Sequence, residues 1–207
     1  MDLYWGNLLF PTSQGKKPFQ KISNEYKDEQ SIKFDEIFLM YEDRQQNVWV
    51  CTNNGLFLFN PQAQSFFSYS LIRPDGTGAK DGPAQAAVHL KNGGVLVGGW
   101  GTGLYAYDEK FTPVPLPSSL KKYVEPYSIW DIKQATDGLV WIGMQNGGLI
   151  VYDPAINKAD LIEDSAFRAR TIRQVDEDEY GNMWFGNQSG NVVRWNKKIA
   201  GGKVNKG

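Results

Sequence analysis

The sequence holds one cysteine, Cys51, and one histidine, His89, among its 207 residues. A single cysteine excludes an internal disulfide and a cysteine-based zinc site, and a single histidine excludes any site that needs two imidazoles from the chain. No apolar run approaches the ~20 residues of a membrane span. Residues 1–5 lack the basic and apolar regions of a signal peptide, although a piece cut from a longer protein would lack them too.

Charge of either sign is not in excess, because 22 basic residues stand against 23 acidic ones and the formal net charge is −1. Such a balance provides no strong field for nucleic acid or an anionic membrane, so neither is predicted as a direct partner. No serine or cysteine has a plausible base beside it, so no catalytic residue is predicted. With a single histidine and a single cysteine, no metal is predicted, and no cofactor is predicted either. Apolar residues make up 41% of the chain and aromatic residues 14%, which indicates a folded domain.

An aromatic or apolar residue followed two positions later by a small residue recurs at an even spacing. Successive instances begin 45, 47, 45 and 43 residues apart. The instances are Tyr4-Trp5-Gly6-Asn7, Trp49-Val50-Cys51-Thr52, Leu96-Val97-Gly98-Gly99, Trp141-Ile142-Gly143-Met144 and Trp184-Phe185-Gly186-Asn187. A period in this range indicates a repeat architecture.

Each repeat is typical of four short strands separated by turns of Gly, Asn, Asp and Pro. A four-stranded unit of this length indicates a blade of a β-propeller. We therefore predict an all-β fold of four-stranded antiparallel blades, about four to five in number. Gly98, Gly143 and Gly186 occupy the same position in the second strand of three repeats. These three are expected to face a neighbouring blade where a side chain would clash, with buried Cys51 as the small residue of its repeat. Trp49, Trp141 and Trp184 are predicted to lie in blade cores.

The predicted organisation is a single propeller arc over residues 1–198, with a disordered tail over 199–207. Its units are a partial blade at 1–35 and blades at 36–80, 81–125, 126–168 and 169–198. We expect Arg194-Trp195 to interrupt the last strand, and Arg73 to Gln85 to form a long structureless connection. An open arc leaves two sheet edges exposed. Three arrangements would account for these edges: closure into a five-bladed ring, pairing with a partner chain, or origin of the chain as a piece of a longer ring. We favour the longer ring, and we expect the isolated piece to form homodimers as a consequence.

The repeat resembles the two-component regulator propeller repeat. Glu42-Asp43, Asn47-Val48-Trp49-Val50-Cys51-Thr52, Asn54-Gly55-Leu56 and Phe59-Asn60-Pro61 carry the resemblance best, and Asp178 with Tyr180 to Gly186 carries it again. The resemblance implies a periplasmic sensor region ahead of a membrane helix and a histidine kinase, in hybrid proteins that add a receiver and a DNA-binding module for transcription regulation. It also implies an oligosaccharide ligand and further propeller repeats in the same polypeptide.

Candidate ligand-binding residues lie on the face that carries the loops between second and third strands. Side-chain amides donate and accept hydrogen bonds, and tryptophan offers a flat apolar face, which together suit sugars. The candidates are Asn53, Asn54, Trp100, Thr102, Tyr127, Trp130, Gln145, Asn146, Arg170, Arg173, Asn187 and Gln188. Arginine among them would suit an acidic sugar.

Two other functions stay open at this point. A propeller enzyme, such as a lyase or a glycan hydrolase, would need an acid and a base that converge, whereas the acidic residues recur at equivalent turns around the ring. The second alternative is a scaffold that binds other proteins and no small ligand.

Overall fold

The computed structural model describes residues 8–10, 20–22, 36–60, 65–79, 82–124 and 127–196. Strands dominate these residues, and every strand pair is antiparallel. The first pair joins β1 (Leu8–Phe10) to β2 (Gln20–Ile22). Residues 4–7 of the first predicted repeat and the tail at 199–207 lie outside the described residues.

Four sheets follow along the chain, each a simple meander. Blade 1 consists of β3 (Ile37–Glu42), β4 (Val48–Thr52), β5 (Gly55–Asn60) and β6 (Ser65–Tyr69). A hairpin of β7 (Leu71–Ile72) and β8 (Gly78–Ala79) comes next. Blade 2 consists of β9 (Ala84–His89), β10 (Val95–Gly99), β11 (Gly103–Tyr107) and β12 (Pro113–Val114).

A short helix, α1 (Ser118–Val124), connects blade 2 to blade 3. Blade 3 consists of β13 (Ile129–Gln134), β14 (Val140–Met144), β15 (Gly148–Asp153) and β16 (Lys158–Glu163). Blade 4 consists of β17 (Ile172–Glu177), β18 (Met183–Asn187) and β19 (Val192–Trp195). The domain boundaries proposed from the sequence stay predictions, although each sheet falls inside one of the predicted units.

Successive blades pack through their first strands. β9 lies against β3 on one side and β13 on the other, and β13 lies against β17. Hydrophobic clusters fill the spaces between blades, with Trp49 and Tyr105 in the first, Leu104 and Ile142 in the second, and Trp141 and Phe185 in the third. First strands that contact one another around an arc are the arrangement of a β-propeller, so the predicted fold is confirmed.

Three local expectations were wrong. The segment from Arg73 to Gln85 is not structureless, because Asp75 accepts hydrogen bonds from both the backbone and the hydroxyl of Thr77 and closes the β7–β8 hairpin. Trp195 does not interrupt β19, since it pairs with Met183 in register. Trp184 is 36% exposed, whereas Trp49 and Trp141 are 5% and 1% exposed. No described blade covers the face of blade 4 on which Trp184 lies.

The expected role of the small residues in the second strands is confirmed at two interfaces. A Cβ atom on Gly98 would lie 2.6 Å from Cγ2 of Ile129 in blade 3, and one on Gly143 would lie 2.9 Å from Cγ2 of Ile172 in blade 4. Cys51 occupies this position in blade 1, and its cluster contains Ala84, the first residue of β9. The larger residue in one blade is therefore matched by a smaller one in the next.

An aspartate braces the turn between first and second strands in blades 1 and 4. Asp43 accepts hydrogen bonds from the backbone of Gln45, the backbone and amide of Asn47, and Nε1 of Trp49. Asp178 makes the same set of contacts in blade 4, ending on Nε1 of Trp184. These acidic turns, which could suggest acid–base chemistry, are therefore explained by their structural role.

Blade 3 lacks this brace, and the lack leads to a prediction. Ala135 takes the place of the aspartate, and the buried Nε1 of Trp141 has no hydrogen-bond partner among the described residues. Ala135→Asp is expected to stabilise the protein at pH 7 by about 1 kcal/mol, because it provides an acceptor for that donor. Thermal unfolding would measure the gain, which should disappear in a Trp141→Phe background. A gain that persists there would contradict this explanation.

Candidate ligand-binding face

The loops between second and third strands are tied to the first strands by a hydrogen bond that recurs in every blade. The backbone N–H of Asn53, Trp100, Gln145 and Gln188 donates to the carbonyl of Glu36, Pro83, Ser128 and Thr171, respectively, at 2.9–3.2 Å. All four loops therefore lie beside the start of a first strand. The face they form is called the loop-rich face below, and it brings these four predicted residues to equivalent positions on successive blades.

A β-bulge near the start of each first strand adds a second side-chain position to this face. The pairing shifts register between residues 37 and 39, between 129 and 131, and between 172 and 174, and it skips Gln85 in blade 2. The residues at the bulges are Phe38, Gln85, Trp130 and Arg173. Bulges re-aim a side chain and are frequent beside binding sites. Sequence analysis missed Phe38 and Gln85, although the 45- and 43-residue spacing from Gln85 to Trp130 and Arg173 could have identified Gln85.

Trp100, Trp130 and Arg173 form a stack across three blades, called the aromatic ladder below. The ring centroids of Trp100 and Trp130 are 6.0 Å apart and their planes are tilted by 45°. The guanidinium of Arg173 lies 4.7 Å from the centroid of the Trp130 ring, within range of a cation–π contact. Trp100 is 52% exposed, so this end of the ladder presents an apolar ring face to solvent.

Three buried polar side-chain atoms on the loop-rich face lack hydrogen-bond partners among the described residues. Nε2 of Gln85, Nε1 of Trp130 and Oγ1 of Thr102 are buried and have no hydrogen-bond partner within the described part of the chain. Gln85 itself is only 6% exposed. Because buried polar groups are nearly always paired in folded proteins, three unpaired ones on the loop-rich face mark this face as a candidate site for a polar ligand.

A cavity of about 300 Å³ opens on the same face beside α1, and is called the tyrosine cavity. The predicted residues Tyr127, Gln145 and Asn146 line it, and Tyr127 is 45% exposed. Lys122, Tyr123 and Glu163 complete its polar wall, and none of these was predicted. They escaped prediction because α1 itself was not expected, and only the helix brings Lys122 and Tyr123 next to the loop of blade 3.

The connection into blade 4 holds Arg170 beside this loop. Arg168 and Ala169 both adopt left-handed backbone conformations with φ of 50°, which is uncommon for residues other than glycine. Gly147 makes the approach feasible, because a Cβ there would lie 3.0 Å from Cα of Ala169 and 3.2 Å from the backbone N of Arg170. The structure thus places the backbone of Arg170 beside Gly147 with local backbone strain at Arg168 and Ala169.

Some of the predicted amides hold the loops themselves. Oδ1 of Asn187 accepts from the backbone of Ser189 and Asn191, while its Nδ2 donates to the carbonyl of Phe167. Oδ1 of Asn53 accepts from the backbone of Glu36. Asn54 lies in the turn next to Asn53, with its backbone N–H bonded to Oγ1 of Thr52. A ligand-binding role for any of the twelve residues stays a prediction.

Asp131 follows Trp130 and links blade 3 to blade 4. Its Oδ2 accepts from the backbone N–H of Val175 at 2.7 Å, and its Oδ1 accepts from that of Ile132 at 2.8 Å. Burial raises the pKa of Asp131, and the two backbone hydrogen bonds only partly oppose this. The carboxylate sets the spacing of β13 and β17, and with it the spacing of Trp130 and Arg173.

Metal binding is not indicated in the described residues, which contain no group of three or more His, Cys, Asp or Glu side chains placed to hold an ion. Burial raises the pKa of the Cys51 thiol well above its ordinary value, in line with a packing residue. Among the helices of the described segments, none has the length and apolar character that crossing a bilayer requires.

Comparison with known proteins bears on the repeat and on the fold. The family model described as two component regulator propeller matches residues 31–54. No curated protein matches the chain.

Two solved structures from B. thetaiotaomicron, extracellular domains of proteins assigned as hybrid two component systems, share 18% and 22% identity with the chain at TM-scores of 0.75 and 0.72. Each match covers 94% of this chain but only 28% and 27% of the larger one. Virginiamycin B lyase from Staphylococcus aureus matches at 12% identity and a TM-score of 0.61, over 93% of this chain and 70% of the lyase.

At these identities the structural matches show the fold alone, and this chain spans little more than a quarter of the extracellular domains it resembles. The repeat recognised at Asn47 to Thr52 falls inside the matched segment. The resemblance to the two component regulator propeller repeat is therefore confirmed over residues 31–54, and the fold of the chain is an arc of a β-propeller.

Proposed function

We propose that this chain is part of the extracytoplasmic, ligand-sensing region of a two-component system and that its loop-rich face binds an oligosaccharide. The observation that carries the proposal is the aromatic ladder of Trp100, Trp130 and Arg173. The extracellular origin of the structural neighbours supports a location outside the cytoplasm. A periplasmic position ahead of a membrane helix and a histidine kinase is part of the same proposal.

The chemistry of the face favours a sugar over a purely apolar ligand. Pyranose rings have an apolar face that stacks on tryptophan and a rim of hydroxyls that pair with amides. The exposed ring of Trp100 offers the first surface, and Gln145 and Asn146 offer the second. Arg173 adds a cation, so a sugar with a carboxylate or a sulfate would be favoured over a neutral one.

The ladder also suggests how binding is transmitted. Trp100 belongs to blade 2, Trp130 to blade 3 and Arg173 to blade 4. A ligand that contacts all three favours one spacing of the blades over others, and only such a difference in contacts shifts a conformational equilibrium. Relative movement of the blades is then the signal passed towards a kinase.

Catalysis by this region is not part of the proposal. An acid and a base would have to converge on one face, but the acidic residues at the first turns are engaged elsewhere. Asp176 pairs with Lys133, and Glu177 accepts two hydrogen bonds from Thr136. The lyase resemblance is one of fold.

A carbohydrate array carrying neutral, uronic and sulfated oligosaccharides tests the proposal, with calorimetry on the best binder. Trp130→Ala is expected to weaken binding by about two- to tenfold, since one stacked ring contributes about 0.5–1.5 kcal/mol. Arg173→Gln should weaken acidic sugars more than neutral ones.

Trp184 and Arg194 provide a matched control. The guanidinium of Arg194 lies 5.4 Å from the centroid of the Trp184 ring, and this cation–π pair is not on the loop-rich face. Trp184→Ala should leave sugar affinity unchanged. The proposal fails if no oligosaccharide on the array binds, or if Trp130→Ala and Trp184→Ala weaken binding equally.

The wider claim about the whole protein has a separate test. Reading the gene on both sides of this segment should reveal further repeats, an apolar span of ~20 residues and a histidine kinase core. A reading frame without the span and the kinase would overturn the two-component role. The sugar-binding proposal would then rest on the array and calorimetry alone.

A further inference from the structure

We propose a second binding site, independent of the oligosaccharide proposal, for a small amphipathic anion with one ring. It is the cavity of about 250 Å³ between the β7–β8 hairpin, β11 and α1, called the hairpin cavity. None of the residues predicted from the sequence to bind a ligand lines it.

The cavity is apolar in its depth. Its floor consists of Leu104, Tyr105 and Ala106, which are 0%, 1% and 7% exposed. Ile72 and Pro74 from the hairpin form one wall. Val114, Pro115 and Leu116, on and after β12, form the other. Concave apolar surfaces with a few polar groups at one end are the usual form of small-molecule sites.

The walls are held by specific contacts and not by loose packing. The hydroxyl of Tyr107 donates to the carbonyl of Ser70 at 3.0 Å and accepts from the backbone of Ile72 at 3.3 Å, which fixes the hairpin on blade 2. On the other side, Leu120 and Val124 of α1 are fully buried in the core between blades 2 and 3. The cavity is therefore a preformed feature of the fold.

Its volume selects the size of the ligand. A buried apolar cavity of about 150 Å³ holds benzene in another protein, so about 250 Å³ leaves room for one ring and a chain of a few atoms. A whole oligosaccharide is too large and too polar for this floor.

Charge at the rim selects an anion. Arg73 and Lys121 line the cavity, with the guanidinium of Arg73 held 4.9 Å from the centroid of the Tyr105 ring and bonded to the carbonyl of Thr102. Asp75 is also at the rim, where it accepts hydrogen bonds from Thr77 and interacts electrostatically with Arg73, so two cations and one anion leave the rim with a net positive charge. An aromatic carboxylate would place its ring on the floor and its charge between the two cations.

The test uses three probes that share a ring and a chain length: 3-phenylpropanoate, 3-phenylpropanol and 3-phenylpropylamine. Two-dimensional NMR titration should show shifts at Leu104, Ala106 and Val114, with a Kd on the order of 1 mM for the carboxylate, given its few heavy atoms. We expect the carboxylate to bind about tenfold more tightly than the amine, with the alcohol in between.

Neighbouring lysines of α1 supply the control. Lys121 lines the hairpin cavity, whereas Lys122 lines the tyrosine cavity and lies over the ring of Tyr123. Lys121→Glu should weaken the carboxylate about three- to tenfold and favour the amine, while Lys122→Glu, with the same change of charge on the same helix, should do neither. Val114→Phe, which fills the cavity from a half-buried position, should abolish the shifts.

Three results would overturn the proposal: no shifts at the floor with any probe, equal affinity for all three probes, or equal effects of Lys121→Glu and Lys122→Glu. Sugar binding at the aromatic ladder is measured separately, so either proposal can fail while the other holds.

Discussion

Gly143→Cys is expected to destabilise the protein by about 2 kcal/mol or more, because overpacking a filled core costs about 1–3 kcal/mol. The new Cβ would lie 2.9 Å from both Cγ2 and the carbonyl oxygen of Ile172. Ile172 is fully buried at the start of β17 and cannot turn away into solvent. Blades 3 and 4 must therefore separate, and the contacts of Trp141 with Phe185 are loosened as they do.

A second substitution should recover part of that loss. Ile172→Ala removes the Cγ2 contact and recreates the pairing of blades 1 and 2, where Cys51 shares a cluster with Ala84. Alone, Ile172→Ala costs about 2–5 kcal/mol through the cavity it leaves. The double variant should cost at least about 1 kcal/mol less than the sum of the two single ones, the sign of a direct contact in a double-mutant cycle.

Gly186 is the matched control for this cycle. It occupies the same strand position in blade 4, but a Cβ there meets nothing closer than 3.5 Å, an oxygen of Gln174. Gly186→Cys should therefore change the free energy of unfolding, measured in urea, by less than about 0.5 kcal/mol. Equal losses for Gly186→Cys and Gly143→Cys would show that the glycines matter for backbone reasons and not for packing between blades.

The repeat made this part of the fold predictable from sequence. A period of 43–47 residues placed the glycines at one strand position before any contact was known, and the structure puts Ile129 and Ile172 opposite two of them. Trp184 was predicted wrongly for a physical reason. The pattern reports which face a side chain takes, whereas its burial depends on whether a neighbour covers that face.

Side-chain positions on the loop-rich face were less predictable. The loop position was found, because Asn, Gln and Trp follow the small residue in each repeat. The bulge position was found only where it holds a conspicuous residue, Trp130 or Arg173, and missed where it holds Phe38 or Gln85. A bulge leaves no compositional mark of its own, and the cavities beside α1 depend on a helix of seven residues, too short for a 3.6-residue period to stand out.

Asp43→Ala is expected to lower stability by about 3 kcal/mol at pH 7, since it removes four hydrogen bonds at once and leaves the buried Nε1 of Trp49 without a partner. Asp43 is 7% exposed and Trp49 5% exposed, so water does not readily replace the lost partner. Thermal or urea unfolding of the variant beside the wild type measures the loss. Asp43→Asn should cost less, because its remaining oxygen still accepts from the turn.

The pH dependence identifies the ionised carboxylate as the source of this stability. Burial raises the pKa of Asp43, but the hydrogen bonds from Trp49, Asn47 and Gln45 together lower it below its ordinary value. A group whose pKa is lower in the folded state stabilises above the unfolded pKa of about 4 and ceases to do so as the pH falls through the folded value. The difference between wild type and Asp43→Ala should therefore be constant from pH 7 to about 5 and shrink below about pH 4.

Asp178→Ala provides the comparison, because the same turn in blade 4 braces an exposed tryptophan. Hydrogen bonds from Asn182 and Trp184 outweigh desolvation and lower the pKa of Asp178 to about 2. The freed Nε1 of Trp184 can bond to water, so the loss at pH 7 should be clearly smaller than for Asp43→Ala. If the two variants lose equal stability, the aspartate stabilises its own turn, and the burial of the tryptophan does not account for its effect.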